Sequence, residues 1–248
     1  MRSFLMVVAA AVFLAAGSPA VLAQGEFPLK YVVAEENDPL TNTGYYRGMP
    51  TRPPQIKALP QGLSDKVGYC EVSVGGKSLW AVLDAASPPK LYVDLARTGD
   101  LSAVAPLVGK VSGNQWRYGP IDISTGNGEG APTVKVLFVS IDNNEILAVG
   151  GRAAGYLAGP AKLDGQTYRV AVLDKNLDGR YECAFGKEGV SQPWWLADAI
   201  AIDSDQDGKF TGAGEIMALP KTVCVKGKYY RVEVAPDGSS IKFDEYEP

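Results

Sequence analysis

Two short segments of this chain place oxygen-bearing side chains at a spacing that suits a metal ion. In residues 174–181 and 203–210, Asp or Asn occupies positions 1, 3 and 5, glycine occupies position 6, and an aromatic residue occupies position 8. A hard cation such as calcium binds six to eight oxygens at short range, and this spacing curls three of them around one point. Glycine permits the sharp turn after which the main-chain carbonyl of position 7 supplies another oxygen.

Each loop therefore has a predicted set of ligands. In the first loop these are the side chains of Asp174, Asn176 and Asp178 and the carbonyl of Arg180. In the second loop they are the side chains of Asp203, Asp205 and Asp207 and the carbonyl of Lys209. We expect Glu215, one residue past position 12, to reach the ion of the second loop as well. Glu182 or Asp198 can complete the first loop, and the number of bound ions is left open.

Both loops resemble the first half of an EF-hand calcium loop, and their arrangement resembles the calcium loops of secreted bacterial proteins. They differ from the EF-hand at position 12, where Phe185 and Gly214 replace the bidentate acid. The segments before them, residues 168–173 and 199–202, are typical of strands rather than helices. The resemblance thus implies the ligand positions but neither the helix–loop–helix fold nor a sensor that opens a helix pair. An alternative is that Asp-Asn-Gly clusters form only turns between strands.

Residues 1–23 have the pattern of a secretory signal peptide. Arg2 supplies the positive start, an apolar core follows, and small residues precede a cleavage site near Ala23. The apolar core is too short to span a membrane, so we expect no membrane insertion. The sequence predicts a secreted or periplasmic protein, in a compartment where weak, millimolar calcium sites stay filled.

Composition excludes several classes of function. The formal net charge is −4 with no basic cluster, so nucleic acid is not an expected partner. The chain has no histidine, which removes Ser-His-Asp and Cys-His catalysis and imidazole metal sites. Its three cysteines leave the disulfide pairing open.

We expect no enzymatic activity, although two aspartates need to be weighed. Asp84 and Asp174 end similar segments, Ala-Val-Leu-Asp, and paired aspartates can act as a catalytic dyad. Neither lies in the Asp-Thr/Ser-Gly motif of pepsin-like proteases. A hydrolase of the glycosidase type, which uses two carboxylates, is the less favoured alternative.

A repeated hairpin pattern predicts the fold. A glycine is followed three and four residues later by an aromatic residue and an arginine, at Gly113, Gly165 and Gly227. Each pattern is typical of a hairpin turn that leads into a strand. The strand before Asp94 and the strand before Asp203 each follow an Ala-Val-Leu-Asp segment and precede a hairpin glycine, Gly113 or Gly227. A tandem duplication would explain this shared order. The alternative is convergence on common strand–turn–strand chemistry.

The predicted architecture is mainly β, with two related sandwich-like or open-barrel halves and strand-flanked calcium loops. A Pro-rich extended segment covers residues 24–65, the first copy residues 66–150, and the second copy, with both candidate loops, residues 151–248. In the first copy Asp94 and Gly99 keep loop positions 1 and 6, whereas Ala96 and Thr98 replace the acids, so this loop is predicted to be degenerate.

These observations predict a secreted, non-enzymatic calcium-binding β protein in which the ion has a structural role. The alternative function depends on Trp194 and Trp195, since exposed indole rings can stack on sugars. The chain would then be a cell-surface adhesion or carbohydrate-binding module, with a surface glycan or protein as its partner. The competing interpretation places one ring in the core and the other over the first loop.

Overall fold

A computed structural model describes residues 25–35, 38–41, 48–113, 115–126, 131–142, 147–182 and 197–247. These residues form 17 strands in four antiparallel sheets and contain no helix. The prediction of a mainly β fold is therefore confirmed. None of the described residues belongs to a helix long and apolar enough to cross a membrane.

The strands follow the chain from β1 (Glu26–Pro28) and β2 (Lys30–Val33). The next eight are β3 (Val67–Val74), β4 (Lys77–Asp84), β5 (Lys90–Val93), β6 (Leu107–Val108), β7 (Lys110–Ser112), β8 (Gln115–Ser124), β9 (Thr133–Asp142) and β10 (Leu147–Ala153). The last seven are β11 (Gly155–Leu163), β12 (Gln166–Leu173), β13 (Ala199–Ile202), β14 (Ile216–Ala218), β15 (Thr222–Val225), β16 (Lys228–Val234) and β17 (Ser240–Tyr246).

The first sandwich consists of the sheets β3-β4-β5-β6 and β7-β8-β9-β10, in that order. Alternate residues of their strands are apolar, so each sheet has a face that must be buried against the other. Val72, Leu79, Val136 and Phe138 meet in this core. The predicted hairpin at Gly113 is confirmed, because it joins β7 to β8.

The second sandwich repeats this order, with β11-β12-β13-β14 in one sheet and β15-β16-β17 in the other. Val170, Ile200, Tyr230 and Phe243 lie in its core. The hairpins at Gly165 and Gly227 join β11 to β12 and β15 to β16, as predicted. The two sandwiches thus share their strand order, and the duplication stays a prediction. Strand β10 crosses the predicted boundary at residue 150.

The second sandwich is completed by the N-terminus. Strand β1 pairs with β17 at the edge of its sheet, just as β10 pairs with β9 in the first sandwich. Strand β2 pairs with β11. Between them Leu29 enters the core and is 7% exposed, while the Phe27 ring lies 6.4 Å from that of Phe243. The Pro-rich segment thus begins as part of the second sandwich.

Two glycines on β11 accommodate this N-terminal segment. A Cβ atom at Gly155 would lie 2.2 Å from the carbonyl oxygen of Val32, and one at Gly159 would lie 2.3 Å from that of Pro28. Neither glycine has a positive φ. Glycine is needed here for the close approach of the main chain and not for its own conformation.

The described residues of the segment that follows β2 (34, 35, 38–41 and 48–66), which we call the strap, form a third layer. Leu40 is fully buried on the outer face of the β11–β14 sheet, in a cluster with Tyr156 and Phe210. Ile56 is 1% exposed on the outer face of the β3–β6 sheet, in a cluster that includes Leu101. The main chain of the strap forms isolated bridges from Met49 to Tyr69 of β3 and from Ala58 to Asp100. Its prolines limit longer pairing, while its apolar side chains cover the sheets.

The N-terminal segment should be essential to the second sandwich. We expect Leu29→Ala to lower the free energy of unfolding by about 2–5 kcal/mol, because it leaves a cavity in the core. Val33→Ala on β2 is the matched control, since Val33 is 68% exposed and the change should stay within about 0.5 kcal/mol. Urea unfolding followed by tyrosine and tryptophan fluorescence measures both, and equal losses would contradict the role assigned to Leu29.

Candidate metal centre

The second loop is held by its first aspartate. Asp203 follows β13 directly, and its Oδ1 accepts a hydrogen bond from the Asp207 amide at 3.1 Å. Its Oδ2 accepts one from the Gly208 amide at 3.0 Å. The first loop repeats both bonds from positions 5 and 6 to Asp174, at 3.1 and 2.8 Å. Each carboxylate has further lone pairs, so these bonds leave capacity for an ion.

Both loops share a left-handed turn at positions 4 and 6. The φ angles are 64° at Gln206 and 84° at Gly208, and 58° at Leu177 and 76° at Gly179. A left-handed φ is costly for residues other than glycine. Its presence at position 4 of both loops, in Gln206 and Leu177, therefore indicates a specific loop shape rather than a generic turn.

Glu215 closes the second loop from the far side. Its Oε1 accepts hydrogen bonds from the amides of Ser204 and Asp205, at 2.8 and 3.4 Å, and its Oε2 from the Gly212 amide, at 2.8 Å. Burial opposes ionisation of Glu215, yet these hydrogen bonds outweigh it and lower its pKa. Glu215 is therefore a buried, ionised carboxylate that faces the start of the loop.

The structure brings Asp203, Asp205 and Glu215 together. One carboxylate oxygen from each lies within 4.8 Å of the other two, and among the described residues this is the one group of three acids so placed. Asp207 lies outside it, and its Oδ1 accepts a hydrogen bond from the Lys209 amide at 2.7 Å. Three like charges this close repel one another unless a cation or protons neutralise them.

In the first loop Asp198 takes the position that Glu215 has in the second. Its oxygens accept hydrogen bonds from the amides of Lys175 and Glu182, at 3.3 and 3.0 Å. Burial raises the pKa of Asp198 to about 8, and the nearby charge of Asp174 adds to this. Burial also raises the pKa of Asp174 to about 6, against the hydrogen bond from Gly179. Buried acids whose pKa is raised in this way are frequent at functional sites.

The first loop also joins the two sandwiches. Leu177, at position 4, is 3% exposed and belongs to the core of the first sandwich. Gly179 lies against Pro132, where an added Cβ would come within 2.6 Å of the proline ring. The loop leaves the second sandwich at β12, so an ion bound there would stabilise the junction between the two.

The third loop, residues 94–101, has the same shape without the acids. Asp94 accepts hydrogen bonds from the Thr98 and Gly99 amides, at 3.2 and 2.6 Å, and φ is again positive at positions 4 and 6. The strap crosses this loop, since the Lys57 and Ala58 amides donate to the Gly99 carbonyl at 2.7 and 3.3 Å. The loop at Asp94 is therefore held by protein groups, and its origin as a degenerate copy stays a prediction.

The aspartate pair considered for catalysis is bound within the protein. Asp84 is 2% exposed and accepts hydrogen bonds from the Ser64 hydroxyl and amide and from the Ala86 amide. Asp174 is bound to the amides of its own loop. Both carboxylates therefore accept hydrogen bonds from protein groups.

Some predicted features lie outside the described residues. Trp194 and Trp195, the basis of the glycan interpretation, are among them, as are Cys183, Phe185 and the predicted signal peptide. Cys70 is a buried free thiol and Cys224 an exposed one. The glycan-binding alternative accordingly stays a prediction from sequence.

Comparison with known proteins adds no relationship to these observations. No protein-family model, curated protein or solved structure matches the chain. The functional conclusion therefore rests on the geometry of the loops.

The raised pKa of Asp198 predicts how stability depends on pH without metal. In the folded protein Asp198 keeps its proton up to about pH 8, whereas in the unfolded chain it loses the proton near the ordinary aspartate pKa of 3.8. Stability in chelator should thus fall as pH rises from about 4 to 8, because the folded state binds more protons in this window. Urea unfolding at pH 5 and pH 8 measures the difference.

Asp198→Asn is the control for this pH dependence. The amide cannot ionise, so the variant should lose most of the fall in stability between pH 5 and pH 8. A wild-type protein that becomes more stable over the same interval would contradict the assignment. Excess calcium should reduce the fall, since a cation neutralises the charge that the rising pH creates.

Proposed function

We propose that this chain is an exported, non-enzymatic β protein whose second sandwich binds calcium, with the ion acting as a structural element. The observation behind the proposal is the convergence of Asp203, Asp205 and Glu215. Oxygens within 4.8 Å of one another can share one ion at calcium–oxygen distances of about 2.3–2.6 Å after small side-chain shifts. Asp207 and the Lys209 carbonyl lie next in the loop and supply further oxygens.

Ligand chemistry favours calcium over other metals. The group contains only oxygen ligands, which select hard cations and disfavour zinc and copper. Magnesium requires a near-octahedral shell at about 2.0–2.1 Å and dehydrates reluctantly, whereas calcium accepts irregular shells of six to eight oxygens. The predicted export of the chain agrees with this choice, because extracellular calcium is abundant enough to fill weak sites.

Burial explains why the ion would stabilise the fold. Asp203 is 3% exposed and Glu215 is 2% exposed, so their charges are largely withdrawn from water and their repulsion is weakly screened. A bound cation removes that repulsion in the folded state alone. At an ion concentration 100 times the dissociation constant, the gain is about 2.7 kcal/mol.

Thermal unfolding of residues 24–248 tests the proposal. A gain of about 2.7 kcal/mol corresponds to a rise in Tm of roughly 5–10 °C for a chain of this size. We expect that rise in excess calcium relative to chelator, and little of it in magnesium. The double variant Asp203→Asn, Asp205→Asn should lose most of the calcium-dependent rise, because two ligand charges are removed at nearly constant shape.

Asp94→Asn is the matched control from the degenerate loop. It changes the equivalent position-1 acid, so it should lower Tm in both conditions and leave the calcium-dependent rise intact. Loss of the rise in both variants would contradict the distinction between the loops. Absence of any calcium-specific rise in the wild-type protein would reject calcium binding and leave the aspartate loops as turns.

A further inference from the structure

The second loop is in contact with the strap through its position-8 residue. Phe210 is 3% exposed and packs edge-on against the Tyr156 ring, with centroids 6.2 Å apart. Leu40 of the strap is fully buried in the same cluster. The strap therefore packs against side chains whose position depends on the loop.

A polar connection runs beside this apolar contact. Nη1 of Arg169 donates a hydrogen bond to the Gly208 carbonyl at 2.6 Å, and Nη2 donates to the Tyr156 hydroxyl at 3.1 Å. The guanidinium also lies over the Phe210 ring, 4.7 Å from its centroid. Arg169 is thus positioned by loop positions 6 and 8 together.

The connection continues to the strap. Burial raises the pKa of Tyr156, the charge of nearby Asp38 in the strap adds to this rise, and Arg169 opposes it. Oδ1 of Asp38 in turn accepts a hydrogen bond from the Leu40 amide at 3.0 Å. Polar interactions therefore connect the Gly208 carbonyl, through Arg169, Tyr156 and Asp38, to the main chain of the strap.

We propose that ion binding at the second loop holds residues 38–41 of the strap on the outer face of the β11–β14 sheet. This inference rests on the proposed function. A loop that frays without its ion no longer fixes the Gly208 carbonyl or Phe210, so Arg169 loses an acceptor and Leu40 loses part of its packing surface. Ion binding at the loop and docking of the strap are then linked by a coupling free energy, so each favours the other.

The first sandwich contains an internal control for this coupling. Leu101 is position 8 of the degenerate loop, is fully buried, and shares a cluster with Ile56 of the strap. Here the strap is bound directly to the loop main chain at Gly99. Because this loop lacks the acids, docking of the strap around Ile56 should be independent of calcium.

Hydrogen exchange of the chain from residue 24 to 248 tests the proposal, after calcium binding has been measured by calorimetry. The amides of Asp38, Leu40 and Thr41 are each hydrogen-bonded in the strap. We expect them to exchange roughly tenfold faster in chelator than in calcium, a factor typical of coupling between sites. The amides of Ile56 and Lys57 should exchange at the same rate in both.

The coupling must also act in reverse, because linkage of binding equilibria is reciprocal. Leu40→Ala should weaken calcium affinity by a factor similar to the change in exchange rate, whereas Ile56→Ala should leave it unchanged.

Arg169→Met should retain calcium binding but abolish the calcium dependence of exchange at residues 38–41. Arg231→Met is its control, since Arg231 occupies the same place in the third hairpin pattern and lies over Tyr246, on the exposed side of β16.

The outcomes separate this inference from the proposed function. Calcium binding with unchanged exchange at residues 38–41 would overturn the inference alone, and so would equal acceleration at Ile56, which would indicate a general loss of stability. Absence of calcium binding would overturn the proposed function and this inference with it. Should Leu40→Ala fail to fold, the Arg169→Met variant decides the same question.

Discussion

Two of the four sheets are apolar on both faces, and much of the architecture follows from this constraint. All four residues of β13 are buried, with Ile200 and Ile202 facing the sandwich core and Ala199 and Ala201 facing outwards. A sheet of this kind must be covered on both sides. The paired sheet covers the inner face, and the strap together with Phe210 and Leu101, the position-8 residues of the second and third loops, covers the outer faces.

The sequence predicts the local parts of this fold and misses the long-range ones. Glycine turns and period-2 alternation are properties of neighbouring residues, so the hairpins at Gly113, Gly165 and Gly227 could be inferred from them. The docking of Leu40 and Ile56, and the pairing of β1 with β17, depend on contacts between distant residues that no local pattern encodes. Both Asp207 and Glu215 were predicted as ligands of the second loop, and the structure groups Glu215 with Asp203 and Asp205 while Asp207 lies outside that group.

The three loops form a natural comparison within one chain. All of them bind the amides of positions 5 and 6 through a position-1 aspartate, and all have positive φ at positions 4 and 6. The loop at Asp94 adopts this shape with alanine and threonine at positions 3 and 5. The acids at positions 3 and 5 of the other two loops are therefore not required for loop shape, and the grouping of Asp205 with Asp203 and Glu215 needs another explanation.

The two acidic loops differ in how they can relieve the repulsion between their carboxylates. In the first loop, burial and neighbouring charge raise the pKa of Asp198 to about 8, so a proton can neutralise the site near neutral pH. In the second loop, three amide hydrogen bonds lower the pKa of Glu215 despite its burial, so it stays ionised. Protonation of Glu215 therefore does not relieve its repulsion with Asp203 and Asp205 at neutral pH, which supports our proposal that a cation is the counter-charge at the second loop.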